Sequence, residues 1–257
     1  MIRLGVVLLL LAAIVASYGC GGGTHVAQRS VRFGGIDGYL VDPGTKGPHP
    51  GVVIVHGSGG DRSELLDQAT ALAKEGAVAL TITEPSSAHP QPQATTLAGL
   101  LAQAQRTQER DSAAVRRAAA FLASRADVDA GRLGYLGWSA GAKTGTFVVH
   151  RFRALALLSA GAATLDEFVA NAPAPARAEV RKALTPIDPI RAVARARPGS
   201  LLLEDGRQDV IVPHAALQNI VRAAPRGTLV RWYDAGHALT PRAYADARRW
   251  LLRKLHA

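Results

Sequence analysis

The chain has 257 residues, 48% of them hydrophobic, and a formal charge of +10. That length suits one domain, and the apolar content can fill a core on both faces of a sheet without disulfide or metal staples, which excludes a disordered chain or a small cysteine-stapled scaffold. The only cysteine, Cys20, excludes an intramolecular disulfide, and the scattered arginines lack the interleaved aromatics of a nucleic-acid surface, so the charge reads as solvated helix faces.

The first element is a leader. Met1-Ile2-Arg3 precedes an uncharged run from Leu4 through Tyr18 with an apolar centre at Val6–Val15. That centre is shorter than the roughly 20 residues needed to span a bilayer, so residues 1–19 read as a signal peptide for export. Ser17-Tyr18-Gly19-Cys20 at its end resembles a bacterial lipoprotein signal, which implies cleavage before Cys20 and a lipid anchor on its sulfur, holding the protein to the cell membrane. An ordinary signal peptide releasing a soluble secreted protein is the alternative. The glycines that follow make residues 20–30 a flexible tether.

The folded part is expected over residues 31–257. Val31–Phe33 and Gly38–Val41 alternate around Gly34-Gly35, as an edge hairpin does. Gly51–Val55 is a continuous β-branched run suited to a central strand. Asp61 and Glu64 have capping-box spacing before a helical pattern that ends at Gly76. A strand at Ala77–Thr83 and a Pro- and Ser-rich loop at Glu84–Gln93 lead into a long helix region ending near Ala126. Strands at Arg132–Leu136, Ala154–Ser159, Ser200–Leu203 and Thr228–Trp232 then alternate with helices at Ser139–His150, His214–Ala223 and Pro241–Leu255, which predicts a mostly parallel sheet covered on both faces. Residues 161–198 form the largest excursion, with a helix near Glu179–Leu184; it reads equally as a small lid or as a helical connection. Trp232, Tyr233 and Trp250 are expected in the core.

Two glycine-rich turns carry chemistry. Gly137-Trp138-Ser139-Ala140-Gly141 fits G-x-S-x-G between a strand and a helix, where a nucleophilic serine needs near side-chain-free neighbours so that the backbone can turn sharply. His56-Gly57-Ser58-Gly59-Gly60 follows the buried strand; a phosphate-binding loop is its alternative, but the Lys-Ser/Thr that such a loop requires is missing. The histidines show no metal-ligand spacing, so no metal or other cofactor is expected.

These turns, with Leu201–Pro213 and Asp234-Ala235-Gly236-His237-Ala238, resemble the α/β-hydrolase superfamily in residues and in chain order. The resemblance is greatest to the dienelactone hydrolase and small carboxylesterase branch, although dienelactone hydrolases use a cysteine where this chain has Ser139. It implies an α/β-hydrolase fold and a triad of Ser139, Asp209 and His237, with Asp205 as a second candidate for the acid. It also implies an oxyanion hole from the amides of Ser58 and Ala140, supported by His56, Gly57, Gly59, Gly60, Gly137, Trp138 and Gly141. The expected activity is hydrolysis of a small-molecule acyl ester. Thioesterase, acyltransferase or peptidase chemistry on the same fold is the nearest alternative, and a non-catalytic surface binding protein a more distant one.

Overall fold

The computed structural model describes residues 26–257. The expected leader and Cys20 lie outside the described residues.

The elements in chain order are β1 (Ala27–Phe33), β2 (Ile36–Asp42), β3 (His49–Val55), α1 (Leu66–Lys74), β4 (Val78–Ile82), α2 (Pro85–Ala88), α3 (Leu97–Ala123), β5 (Val128–Trp138) and α4 (Ala140–Thr146). The chain continues through β6 (Ala154–Leu158), α5 (Leu165–Asn171), α6 (Arg177–Leu184), α7 (Pro189–Val193), β7 (Leu201–Gly206), α8 (His214–Ala223), β8 (Leu229–Tyr233) and α9 (Pro241–His256). The eight strands form one sheet in the order β1-β2-β4-β3-β5-β6-β7-β8. β1, β2 and β4 pair antiparallel, and every pairing from β4 to β8 is parallel.

The two faces of the sheet follow from the period-2 alternation of side chains along each strand. Val53, Val55, Leu80, Tyr135 and Leu157 point to one face and pack with Val115, Ala118 and Leu122 of α3 and Ile220 of α8. Val52, Ile54, Leu136, Ala156 and Leu158 point to the other, against Leu72 of α1 and Trp250, Leu251 and Leu255 of α9. Burial on both faces explains why β3, β4 and β6 read as continuous apolar runs rather than alternating ones.

Several boundaries differ from the sequence expectation. β1 begins at Ala27, so residues 27–30, assigned to the tether, pair with β2 down to the register Ala27↔Asp42. The hairpin turn is Gly34-Gly35, both at positive φ (54° and 79°), the geometry a two-residue β-turn between twisted strands requires. The expected capping box does not form: α1 starts at Leu66 without a side-chain cap. Asp61 instead closes its own turn, accepting from the Ser63 amide at 2.7 Å, and Glu64 reaches the His56–Gly60 loop. A capping box does form on α5, where Thr164 and Glu167 exchange side-chain-to-backbone bonds. Trp250 is buried, whereas Trp232 and Tyr233 are half-buried, because β8 is the sheet's last strand. Trp232 lies against the His214 ring and Tyr233 bridges Glu204 and Asp246.

Residues 161–198 carry α5, α6 and α7 and their own small core of Leu101, Val169 and Val180 against α3. The Gln105 side chain donates to the Ala183 carbonyl at 2.7 Å, which ties α6 to α3. This excursion forms one wall of the cavity described below.

Candidate active site

Parallel strands present their carboxyl ends on one edge of the sheet, and the candidate site residues gather there. β5 ends at Trp138, and Ser139 turns the chain into α4 at φ 54° and ψ −112°. Such a positive φ is costly for a residue with a side chain and persists where the surroundings impose it. The Ser139 amide donates to the Leu158 carbonyl of β6 at 2.9 Å, and the Gly141 amide donates to the His56 carbonyl at 3.0 Å. A Cβ on Gly137 would sit 2.7 Å from the Gly141 backbone, and one on Gly141 would sit 2.5 Å from the Val55 carbonyl. The glycines at these two places are therefore fixed by backbone-to-backbone approach.

His237 follows β8 and brings its ring to the serine. Its Nε2 lies 2.8 Å from Ser139 Oγ, and its Nδ1 lies 2.8 Å from Asp209 Oδ2. The carboxylate can only accept, so Nδ1 carries the proton and Nε2 is left to accept from the serine hydroxyl. Asp209 follows β7, and its other oxygen accepts from the amides of Ile211 and Val212, each at 2.9 Å. Its side chain is 1% exposed. Asp205 is also buried but makes no bond to the imidazole; burial, with the Asp209 charge adding, pushes it up to about 7. The structure thus brings Ser139, His237 and Asp209 together and leaves Asp205 aside.

The back of His237 is held as well. Its carbonyl accepts from Trp138 Nε1 at 2.9 Å and from Ser159 Oγ at 3.0 Å. Ser159 itself has φ 54°, and its amide donates to the Glu204 carbonyl at 2.8 Å. The Trp138 ring packs beside the imidazole at 5.2 Å between centroids and also fills the space a Cβ on Gly57 would need. Ser159 lies in no sequence motif, and only the fold brings it to His237.

The loop after β3 is pinned from three sides. The Gly57 amide donates to Glu64 Oε2 at 2.8 Å. The Glu84 amide donates to His56 Nε2 at 3.0 Å, so His56 is protonated at Nδ1 and donates to the Gly57 carbonyl at 2.6 Å. The Gly57 carbonyl and the Ser58 N–H belong to one planar trans peptide and point in opposite directions. Holding that carbonyl therefore aims the Ser58 N–H away from His56. Ala140 supplies the first amide of α4, which has no partner within the helix. Gly59 has φ 73°, and Gly60 closes the loop by donating to the Gly57 carbonyl at 3.2 Å.

A cavity of about 1040 Å³ opens beside Ser58 and Ala140. Its floor includes Glu84 and Asp111, 2% and 5% exposed. Burial, with the Asp111 charge adding, pushes Glu84 up to about 7, while the Thr144 hydroxyl and Lys143 ammonium beside it act the other way. Neither carboxyl group was singled out from sequence; Glu84 stands at the start of a loop without a motif. Among the described residues no three His, Cys, Asp or Glu side chains are grouped as a metal site would group them.

Comparison with known proteins agrees with this architecture. Among solved structures, the chain is similar to TT1662 from Thermus thermophilus (TM-score 0.68, 21% identity, 91% of this chain and 99% of that one). It is also similar to acetyl xylan esterase from Paenibacillus sp. R4 (0.69, 20%, 90% and 89%) and to acetyl xylan esterase 1 from Thermoanaerobacterium sp. JW/SL YS485 (0.71, 16%, 90% and 88%). At these identities the likeness is one of fold, and the fold is that of the α/β-hydrolases. No curated protein matches the sequence. The model of the dienelactone hydrolase family matches residues 36–248, which takes in every strand after β1 and the first half of the last helix, and the chain belongs to that family.

Proposed function

We propose that this protein, a member of a hydrolase family, is an exported serine hydrolase that cleaves carboxylic esters through an acyl-enzyme on Ser139. The observation that carries this reading is the relay of two 2.8 Å contacts from Asp209 through His237 to the Ser139 hydroxyl. In the proposed reaction Ser139 Oγ attacks the ester carbonyl as His237 Nε2 takes its proton. Asp209 keeps the imidazole in the competent tautomer and stabilises the imidazolium that forms. The amides of Ser58 and Ala140 receive the oxyanion, and their fixed directions favour the reaction because no reorganisation is needed as charge develops. His237 then returns its proton to the leaving alcohol. Water enters, is deprotonated by the same imidazole, and releases the acid and Ser139.

Export and anchoring through Cys20 belong to the same proposal. They rest on the Met1–Gly23 sequence pattern. Among the described residues no helix is long and apolar enough to cross a membrane. Incorporation of labelled palmitate that disappears in Cys20→Ala supports the anchor; an unlabelled full-length protein contradicts it.

The activity is tested with p-nitrophenyl esters of graded acyl length and a fluorophosphonate probe. Wild-type protein is expected to hydrolyse the short esters and to take the probe, and Ser139→Ala to do neither while keeping its fold. Labelling that persists in Ser139→Ala, or thioester or peptide turnover without ester turnover, contradicts the proposal.

A further inference from the structure

The cavity beside Ser58 has two unlike walls. Residues 161–198 supply an apolar one that includes Leu165, Phe168 and Ile187, with Phe168 52% exposed. The opposite wall and floor come from Glu84 and the helices α2, α3 and α4, and are lined by Glu84, Ser86, Gln108, Asp111, Lys143 and Thr144. Glu84 Oε1 is buried without a hydrogen-bond partner, although the side chain borders the cavity. Asp111, beside it, uses Oδ1 to accept from the Ser86 amide at 3.0 Å. A carboxyl oxygen left unpaired in a buried place costs free energy that a donor arriving with a ligand recovers.

Three kinds of occupant meet this floor differently. An aliphatic chain brings no donor to Glu84 or Asp111, so it leaves the cost in place. A cationic group meets Lys143 on the same floor. A polyhydroxylated group suits it, because each hydroxyl both donates and accepts, and so matches carboxyl acceptors and amide, ammonium and hydroxyl donors together. The apolar Phe168 wall opposite is suited to the C–H face of a ring. Lys143 and Thr144 lie one turn along α4 from Ala140, which lines the same cavity, so the floor adjoins the turn that carries Ser139.

We propose that this cavity receives a polyhydroxylated part of the ester, with Glu84 and Asp111 as its specificity-determining acceptors. The proposal rests on the ester-hydrolase reading above. The hydroxyls can belong to the alcohol or to the acid, and two substrate pairs separate these sources: a methyl glucoside monoacetate against cyclohexyl acetate, and methyl gluconate against methyl hexanoate.

The purified protein is expected to favour the hydroxylated member of one pair by about tenfold or more in kcat/KM, as sites built to pair buried polar groups discriminate against analogues lacking them. Glu84→Gln and Asp111→Asn are expected to bring that ratio towards unity. Should these variants fail to fold, wild-type protein still decides the matter: free methyl glucoside is expected to inhibit p-nitrophenyl acetate hydrolysis more strongly than cyclohexanol. Equal rates within both pairs overturn the proposal, as does a ratio that survives both substitutions. A preference for acetylcholine over its uncharged analogue 3,3-dimethylbutyl acetate overturns it in favour of a cation site. If p-nitrophenyl acetate is not turned over at all, the ester-hydrolase reading itself fails, which is a distinct result.

Discussion

Asp209 and Glu84 are both buried carboxyl groups just beyond the carboxyl ends of strands, yet their surroundings are opposite. Asp209 accepts hydrogen bonds from the His237 ring and from two backbone amides, so both its oxygens are satisfied. Glu84 has one oxygen without a partner and shares its burial with Asp111, and it is pushed up to about 7 as a result. The difference separates two tasks. The Ser139 relay is complete before any ligand arrives, because misplacing a reacting group costs rate. The cavity floor leaves one Glu84 oxygen unpaired, and a ligand that brings a matching donor gains from pairing it.

Substitutions sharpen this contrast. Ser139→Ala is expected to have the largest effect, a loss of about 10⁶-fold in kcat on p-nitrophenyl acetate, the scale at which loss of a serine nucleophile leaves only binding and oxyanion stabilisation. Equal loss of secondary structure by circular dichroism would break the link between that residue and chemistry.

Glu84→Gln probes the other side of the contrast through stability. The folded protein holds Glu84 at about 7, above its ordinary 4.5, so its ionisation is penalised in the native state. Relative to the unfolded chain, this group's contribution is intact below about pH 4.5 and is lost as pH rises through 7. Glu84→Gln should therefore unfold at higher denaturant concentration than wild type at pH 8, by at most about 3 kcal/mol, with the gap closing near pH 4. A gap independent of pH would mean that Glu84 is paired in the native state after all.

His56→Ala comes next. It removes the bond that aims the Ser58 amide without removing that amide, so a loss of about 10- to 100-fold in kcat is expected, below the loss of a whole oxyanion donor. KM should change less than kcat, and steady-state kinetics separate the two. The smallest effect is expected from Ser159→Ala, which deletes one of two hydrogen bonds to the His237 carbonyl. A single such bond is worth about 0.5–1.5 kcal/mol, hence a few-fold to about tenfold in kcat. If Ser159→Ala matches His56→Ala in size, Trp138 contributes little to holding the histidine.

The same contrast governs what could be read from sequence. The rim is legible because its parts are short backbone devices: G-x-S-x-G, H-G-S-G-G and a histidine turn each follow a strand, and at Gly57, Gly137 and Gly141 a Cβ would come within 3 Å of its neighbours. The sheet was legible because burial on both faces forces long apolar runs. The hairpin was legible at its Gly34-Gly35 turn, but the start of β1 was not, since Ala27–Ser30 are exposed and carry no apolar alternation. Glu64 was misread because capping-box spacing is a local signal, while its actual partner, the Gly57 amide, is set by how the loop packs. The polar floor of the cavity was illegible for a related reason: its side chains come from Glu84, α3 and α4, distant in the chain, and no spacing rule places Glu84 beside Asp111.

Covalent trapping tests the central claim most directly. After reaction with diethyl p-nitrophenyl phosphate, peptide mass spectrometry should find one diethylphosphoryl group, on Ser139, with its appearance tracking the loss of esterase activity. Inactivation with Ser139 unmodified, or modification of Ser139 that leaves activity untouched, would contradict the account.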